Sequence, residues 1–193
     1  MDFSKCDDLI PAETIALMQL RLKYGDGVDG VLTRTQDGSA EGLKGVATVI
    51  EGEYSRKKVF VFWLITGTTD GQKSMAEYNL VLIKRVIASG KYLDLSDKSP
   101  EAIAKYKMEF RDFDGFRFLA EIGVEAGKDG FSDKNIIARA ITRDMRQWNN
   151  RPPIEQVPAG FASGSPTGGE GQAPKATSSA SAPAPITKPA WAS

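Results

Sequence analysis

Histidine is absent from all 193 residues. Its absence removes the commonest general base and the commonest metal ligand at neutral pH. A serine nucleophile would then need a lysine base, and no Ser-x-x-Lys is placed to supply one. Cysteine occurs once, as Cys6. One thiol excludes an internal disulfide and a Cys-rich zinc site, and it fits a reducing compartment. Acidic neighbours raise its pKa and lower its reactivity. No apolar run approaches the 18 or so residues of a membrane span. The first residues, MDFSKCDDLIPAE, lack the basic and apolar regions of a signal peptide. A cytoplasmic protein is expected, with no membrane partner. Net charge is also missing: 25 basic residues face 25 acidic ones. Two of each lie after Arg151, so 23 of each remain in the body. This excludes nucleic-acid binding by bulk charge and leaves room for a local basic stripe. Phosphate-binding loops of the form GxxxxGK[ST] are absent, and no GxGxxG follows a strand and opens a helix. No cofactor is expected.

What is present divides near residue 150. Residues 1–151 read as one folded domain. Residues 152–193 are rich in Pro, Ala, Gly and Ser, as in SGSPTGGEGQAP. Such a segment buries too little apolar surface to offset its ordering entropy, so a disordered tail is expected. The tail carries Trp191 in KPAWAS. A lone tryptophan there reads as a peptide motif for a partner, or as an incidental exposed side chain.

The body is punctuated by six Asp-Gly pairs, from Asp26-Gly27 to Asp129-Gly130. Each suits a turn with positive φ. Between them, 14–24 alternates like a strand. Residues 42–52 and 57–67 are β-branched and aromatic and read as a long hairpin. Asp70 caps a helix to about Ser89, with Met75, Tyr78, Leu82 and Val86 at helical spacing. A second helix opens at Ser99-Pro100. Strands follow at 116–125 and 135–142. Arg146, Gln147 and Trp148 close the body. The expected class is mostly β with helices (α+β). Five strands with a helical insertion between the third and fourth give the order of an OB-fold-like barrel. An up-and-down sheet with helices on one face gives the same order.

Two chemistries deserve weighing. Asp112, Asp114, Glu121 and Glu125 could form a magnesium cluster, but a turn followed by solvent-facing acids is the plainer reading, so no metal is expected. Bases mixed with aromatics carry more weight. Tyr54, Arg56, Lys57 and Lys58 surround the hairpin tip, with Phe60 and Phe62 on the strand. Lys128, Phe131 and Lys134 sit in the loop GKDGFSDKN, and Arg139 follows. Single-stranded nucleic acid is bound in this way, by bases stacked on rings and phosphates tracked by cations. In an OB-fold the groove lies on strands 2–3 between loops 1–2 and 4–5, where these residues fall. Such strands also carry aromatics as core. Val59, Val61, Trp63 and Ile65 share one face, Phe60, Phe62 and Leu64 the other. If Trp63 points inward, Phe60 and Phe62 are exposed. Phe116 and Phe118 read as core.

The stretches EGEYSRKK, TGTTDG (Thr66–Gly71), FDGFRFLAEIGVE and Asp133–Asn135, with the tail ending PAWAS, resemble a family of small phage and prophage proteins. The resemblance covers about residues 10–148 and the last few. The family looks like the phage single-stranded-DNA-binding or recombination-accessory group, and it brings no catalytic residue. Single-strand binders of this kind often end in an acidic tail; this one is nearly uncharged.

The expected function is non-catalytic binding of single-stranded DNA in phage or mobile-element replication or recombination. A groove that reads stacking and phosphate does not separate DNA from RNA. The alternative is an adaptor that recruits a replication or recombination enzyme through Trp191. Self-association through an exposed strand edge is also compatible with the sequence.

Overall fold

The computed structural model describes residues 9–27, 29–127, 130–148 and 153–156. The chain divides into two units, 1–163 and 164–193, and every described residue belongs to the first.

The fold is α+β. Six strands form one antiparallel sheet: β1 (Thr14–Leu22), β2 (Thr33–Arg34), β3 (Ala40–Val49), β4 (Lys58–Gly67), β5 (Arg117–Glu125) and β6 (Lys134–Ala140). One edge of β3 pairs with β4. Its other edge pairs with β2 near Gly42 and with β1 beyond Gly45. The main path is therefore β4-β3-β1-β5-β6. A closed barrel would also join β4 to β6, and no ladder does so among the described residues. The sheet is open at that point. Two bulges bend it, one leaving Ile65 of β4 without a partner and one leaving Ala138 of β6 so. Bulges of this kind raise local twist.

Helix α1 (Asp70–Lys91) runs between β4 and β5 in sequence and packs on β4, β5 and β6. Thr69 is its N-cap, one residue before the Asp70 expected from the sequence. The Thr69 hydroxyl accepts from the Gln72 N–H at 3.3 Å, and Gln72 Oε1 accepts from the Thr68 and Thr69 N–H groups. This capping box satisfies donors that the first helical turn leaves free, and such a cap contributes about 1 kcal/mol. Gly71 of the Asp70-Gly71 pair is consequently helical and Gly27 does not take positive φ, whereas Gly30, Gly38, Gly115 and Gly130 take the positive φ expected of turns. Helix α2 (Pro100–Lys105) starts at Pro100 with Ser99 as N-cap.

The core lies between the inner face of the sheet and α1. Met18, Leu20, Leu43, Ala47, Val59, Trp63, Val86 and Phe118 fill it. Burying a large apolar side chain stabilises by roughly 1.5–3 kcal/mol. Phe116 and Phe118 are core residues, as their spacing suggested. The buried stripe of α1 begins at Ala76 and Asn79, not at Met75 and Tyr78, which are exposed. A smaller cluster of Leu119, Ile141 and Trp148 packs with Leu17 and Ile154. Residues 153–156, which composition assigns to the tail, are held on the body. The Gln156 side chain accepts from the Arg117 N–H at 2.8 Å and donates to the Gly90 and Arg117 carbonyls.

Candidate nucleic-acid interface

Strand β4 alternates between two apolar faces, and only one is core. Val59, Val61 and Trp63 are buried, whereas Phe60 is 76 % exposed and Phe62 44 %. The condition set by the sequence is met: Trp63 points inward and the two phenylalanines face solvent.

Register then decides what stands beside them. Phe62 lies opposite Lys44, and Phe60 opposite Val46, which in turn faces Arg21. Lys58 begins a row that runs through Thr48 and Gln19 to Arg117. Neither Lys44 nor Lys58 forms an ion pair among the described residues. Arg21 lies 3.8 Å from an Asp114 oxygen. Gly42 matters to this surface: a Cβ there would come within 2.8 Å of the Phe62 ring. The bare backbone of Gly42 lets the ring lie close against β3.

The hairpin tip adds Arg56, exposed and left-handed at φ 72°. Its N–H donates to the Val49 carbonyl at 2.8 Å. The two other tip residues are less available. Tyr54 is half-buried and packs on the core, and Lys57 is half-buried.

The loop between β5 and β6 is partly built for its own closure. The Gly127 N–H donates to Asp133 Oδ1 at 2.9 Å, and Gly130 turns the chain at φ 85°. Phe131 stands out at 80 % exposure. Lys134 is 3.1 Å from a Glu125 oxygen. Arg139 makes two hydrogen bonds to Glu121 Oε2, at 3.0 and 2.6 Å, so its guanidinium is committed. Lys128 and Trp191 lie outside the described residues. The structure thus gathers Phe60, Phe62, Lys58 and Arg56 on the β3–β4 hairpin and leaves Arg139 paired elsewhere. It adds Lys44, which the sequence did not single out.

Beside this face, where β4 and β6 fail to pair, an open cleft of about 810 Å³ runs between β4, α1 and β6. Lys44, Phe60, Phe62, Met75, Tyr78 and Lys134 contribute to its walls. Met75 and Tyr78 are 53 % and 60 % exposed. Helical spacing placed them in the core stripe, so their exposure was not legible from sequence.

The four carboxylates weighed for magnesium each have separate engagements. Asp112 accepts from the Glu109 N–H, Asp114 from the Leu22 N–H, Glu121 from Arg139, and Glu125 pairs with Lys134. Among the described residues no group of three His, Cys, Asp or Glu is arranged to hold a metal ion. No described helix is long and apolar enough to cross a membrane. Comparison of the chain with protein-family models and with curated protein sequences finds no match.

Proposed function

We propose that this protein binds single-stranded nucleic acid without catalysing a reaction, as a component of phage or mobile-element DNA replication or recombination. One observation carries the binding reading: β4 presents Phe60 and Phe62 to solvent, beside Lys44 and Lys58, which pair with no carboxylate among the described residues. Two exposed rings two residues apart add nothing to the core, which the other face of the strand fills. Rings at that spacing offer successive bases a π-surface, and the flanking ammonium groups suit the phosphates between them. Oriented cations of this kind explain how a neutral chain could bind a polyanion.

The strand order supports an OB-type reading of the sheet, as a barrel left open between β4 and β6 with α1 near the opening. In that architecture the binding face lies on the second and third strands of the barrel, here β3 and β4. The same two strands carry the exposed rings. The phage setting rests on the resemblance of the sequence.

Fluorescence anisotropy with labelled single- and double-stranded oligonucleotides tests the proposal. Binding to the single strand alone, weakening as salt rises, is expected. Phe60→Ala and Phe62→Ala should each weaken it by roughly 1–3 kcal/mol, the weight of one stacked base. No binding to either oligonucleotide at low salt would refute the proposal and turn attention to Trp191 and a protein partner.

A further inference from the structure

The cleft beside β4 has features that the β3–β4 face alone does not require. Helix α1 buries Ala76, Asn79, Leu82 and Ile83, yet turns Met75 and Tyr78 outward to line this cleft. Tyr78 and Phe62 line the same cleft from different elements. Asn79 also lines it and is only 6 % exposed. Its Nδ2 donates to the Leu64 carbonyl at 3.3 Å, while its Oδ1 accepts no hydrogen bond among the described residues. That oxygen is not among the buried side-chain atoms without a partner, so it reaches the open cleft, where it can accept from a ligand or water. Lys44 stands on the rim without an ion pair among the described residues. Lys134 is offset by Glu125, so the unbalanced charge at the rim is positive.

We propose that this cleft is a nucleobase pocket: a strand crossing the β3–β4 face turns one base over the edge of β4, where Tyr78 and Phe62 stack it and Asn79 hydrogen-bonds its edge. The proposal rests on the single-strand reading given above. Its chemistry is that of unstacked bases generally, which are held between aromatic rings and read along their polar edges. A volume of about 810 Å³ is within the range of small-molecule sites. The polar backbone edge of β4 adds to the fit. Leu64 directs its carbonyl away from β3, toward Asn79, and Phe60 and Phe62 share its parity along the strand. Their N–H and C=O groups therefore also face the cleft side.

Tyr78→Ala in the full chain tests the pocket, with Tyr78→Phe as its control. Tyr78 is exposed, and thermal melts of both variants should match the wild type. The probe is a single-stranded oligothymidylate carrying one 2-aminopurine, moved through successive positions. In the wild-type complex, fluorescence is expected to be quenched most at one position. Tyr78→Ala should remove that position-specific quenching and weaken binding about tenfold, the weight of a single stacked base. Tyr78→Phe should retain both. Wild-type affinity and quenching in Tyr78→Ala, with binding still weakened by Phe60→Ala, would overturn the pocket and leave the face intact. Failure of the wild type to bind any single strand would overturn both. Equal binding of an extended peptide at the same cleft, displacing no oligonucleotide, would assign it to strand addition on β4 and overturn the pocket.

Discussion

Arg56 holds a backbone conformation that suits glycine. At φ 72° its Cβ crowds the following carbonyl, which costs an L-residue about 1 kcal/mol or more. Gly52, in the same loop, takes φ 82° without that cost. An arginine kept in such a place points to a use for its guanidinium. Arg56→Gly should raise unfolding free energy by about 1 kcal/mol in urea titration and weaken single-strand binding. A gain in stability with affinity unchanged would remove Arg56 from the binding face. At this scale the sequence told much but not all. It supplied Phe60 and Phe62 as candidates, yet both faces of KVFVFWL are apolar, so the strand alone could not say which was core. Lys44 went unnoticed because only the β3–β4 register brings it opposite Phe62. Tyr54 and Arg139 sit in the expected regions, but packing on the core and the pair with Glu121 occupy them.

Among elements, β6 shows how one polar side chain can anchor a segment far away in sequence. Asn135 Oδ1 accepts from the Ile10 N–H at 2.8 Å, and its Nδ2 donates to the Ile10 carbonyl at 2.7 Å. A further bond of 3.3 Å reaches the Gly123 carbonyl. Asn135 thus pairs with Ile10 as a neighbouring strand would, and it holds buried Ile10 against the core. Asn135→Ala should destabilise by about 2 kcal/mol, since it leaves both Ile10 polar groups without their partners. Chemical denaturation measures this, and a loss below a few tenths of a kcal/mol would mean that water replaces the amide. The sequence showed Asn135 as the end of the loop GKDGFSDKN and the start of an apolar run, with nothing to link it to Ile10. Element types were otherwise legible because the apolar spacing of β1, β3, β4, β5 and α1 is regular. Boundaries were less so. The α1 cap moved to Thr69 because a capping box needs Gln72 three residues on, a pairing that Asp70 does not offer. The buried stripe was misplaced because Ala76 and Asn79 carry little apolar surface of their own. Two-residue β2 has too little length for any period.

Across the whole molecule, the carboxylates with displaced pKa among the described residues share a direction. Asp37 is held down to about 2 by the hydroxyls of Thr35 and Ser39 and by the Ser39 N–H. Asp29 is lowered chiefly by the Leu32 and Val31 N–H groups, Asp94 by Ser96 and Asp97 by Ser99. A carboxylate with a depressed folded pKa contributes stability that is present above its unfolded value, near 3.8, and lost as pH falls through the folded one. Each of these four organises a turn, so the turns should loosen together in acid. With no histidine to titrate, thermal midpoints should hold level between about pH 5 and 8 and decline below about pH 4. A marked change near pH 6.5 would contradict this. The succession of strands and helices, β2 apart, was legible at this scale from the periodic segments and turns. Closure was not, because whether β4 meets β6 depends on bulges and on the seating of α1, which no local pattern encodes.

The gap between β4 and β6 gives the protein an intrinsic reporter. Odd-numbered β4 residues up to Trp63 direct their amides into the ladder with β3, whereas Phe60 and Phe62 direct theirs outward. Deuterium uptake along β4 should therefore alternate residue by residue, slow at Val59 and Val61 and fast at Phe60 and Phe62. Anything that settles along this margin will slow the fast amides and leave the slow ones as they were. An unlabelled ligand would thus write its position into the exchange pattern of a single strand.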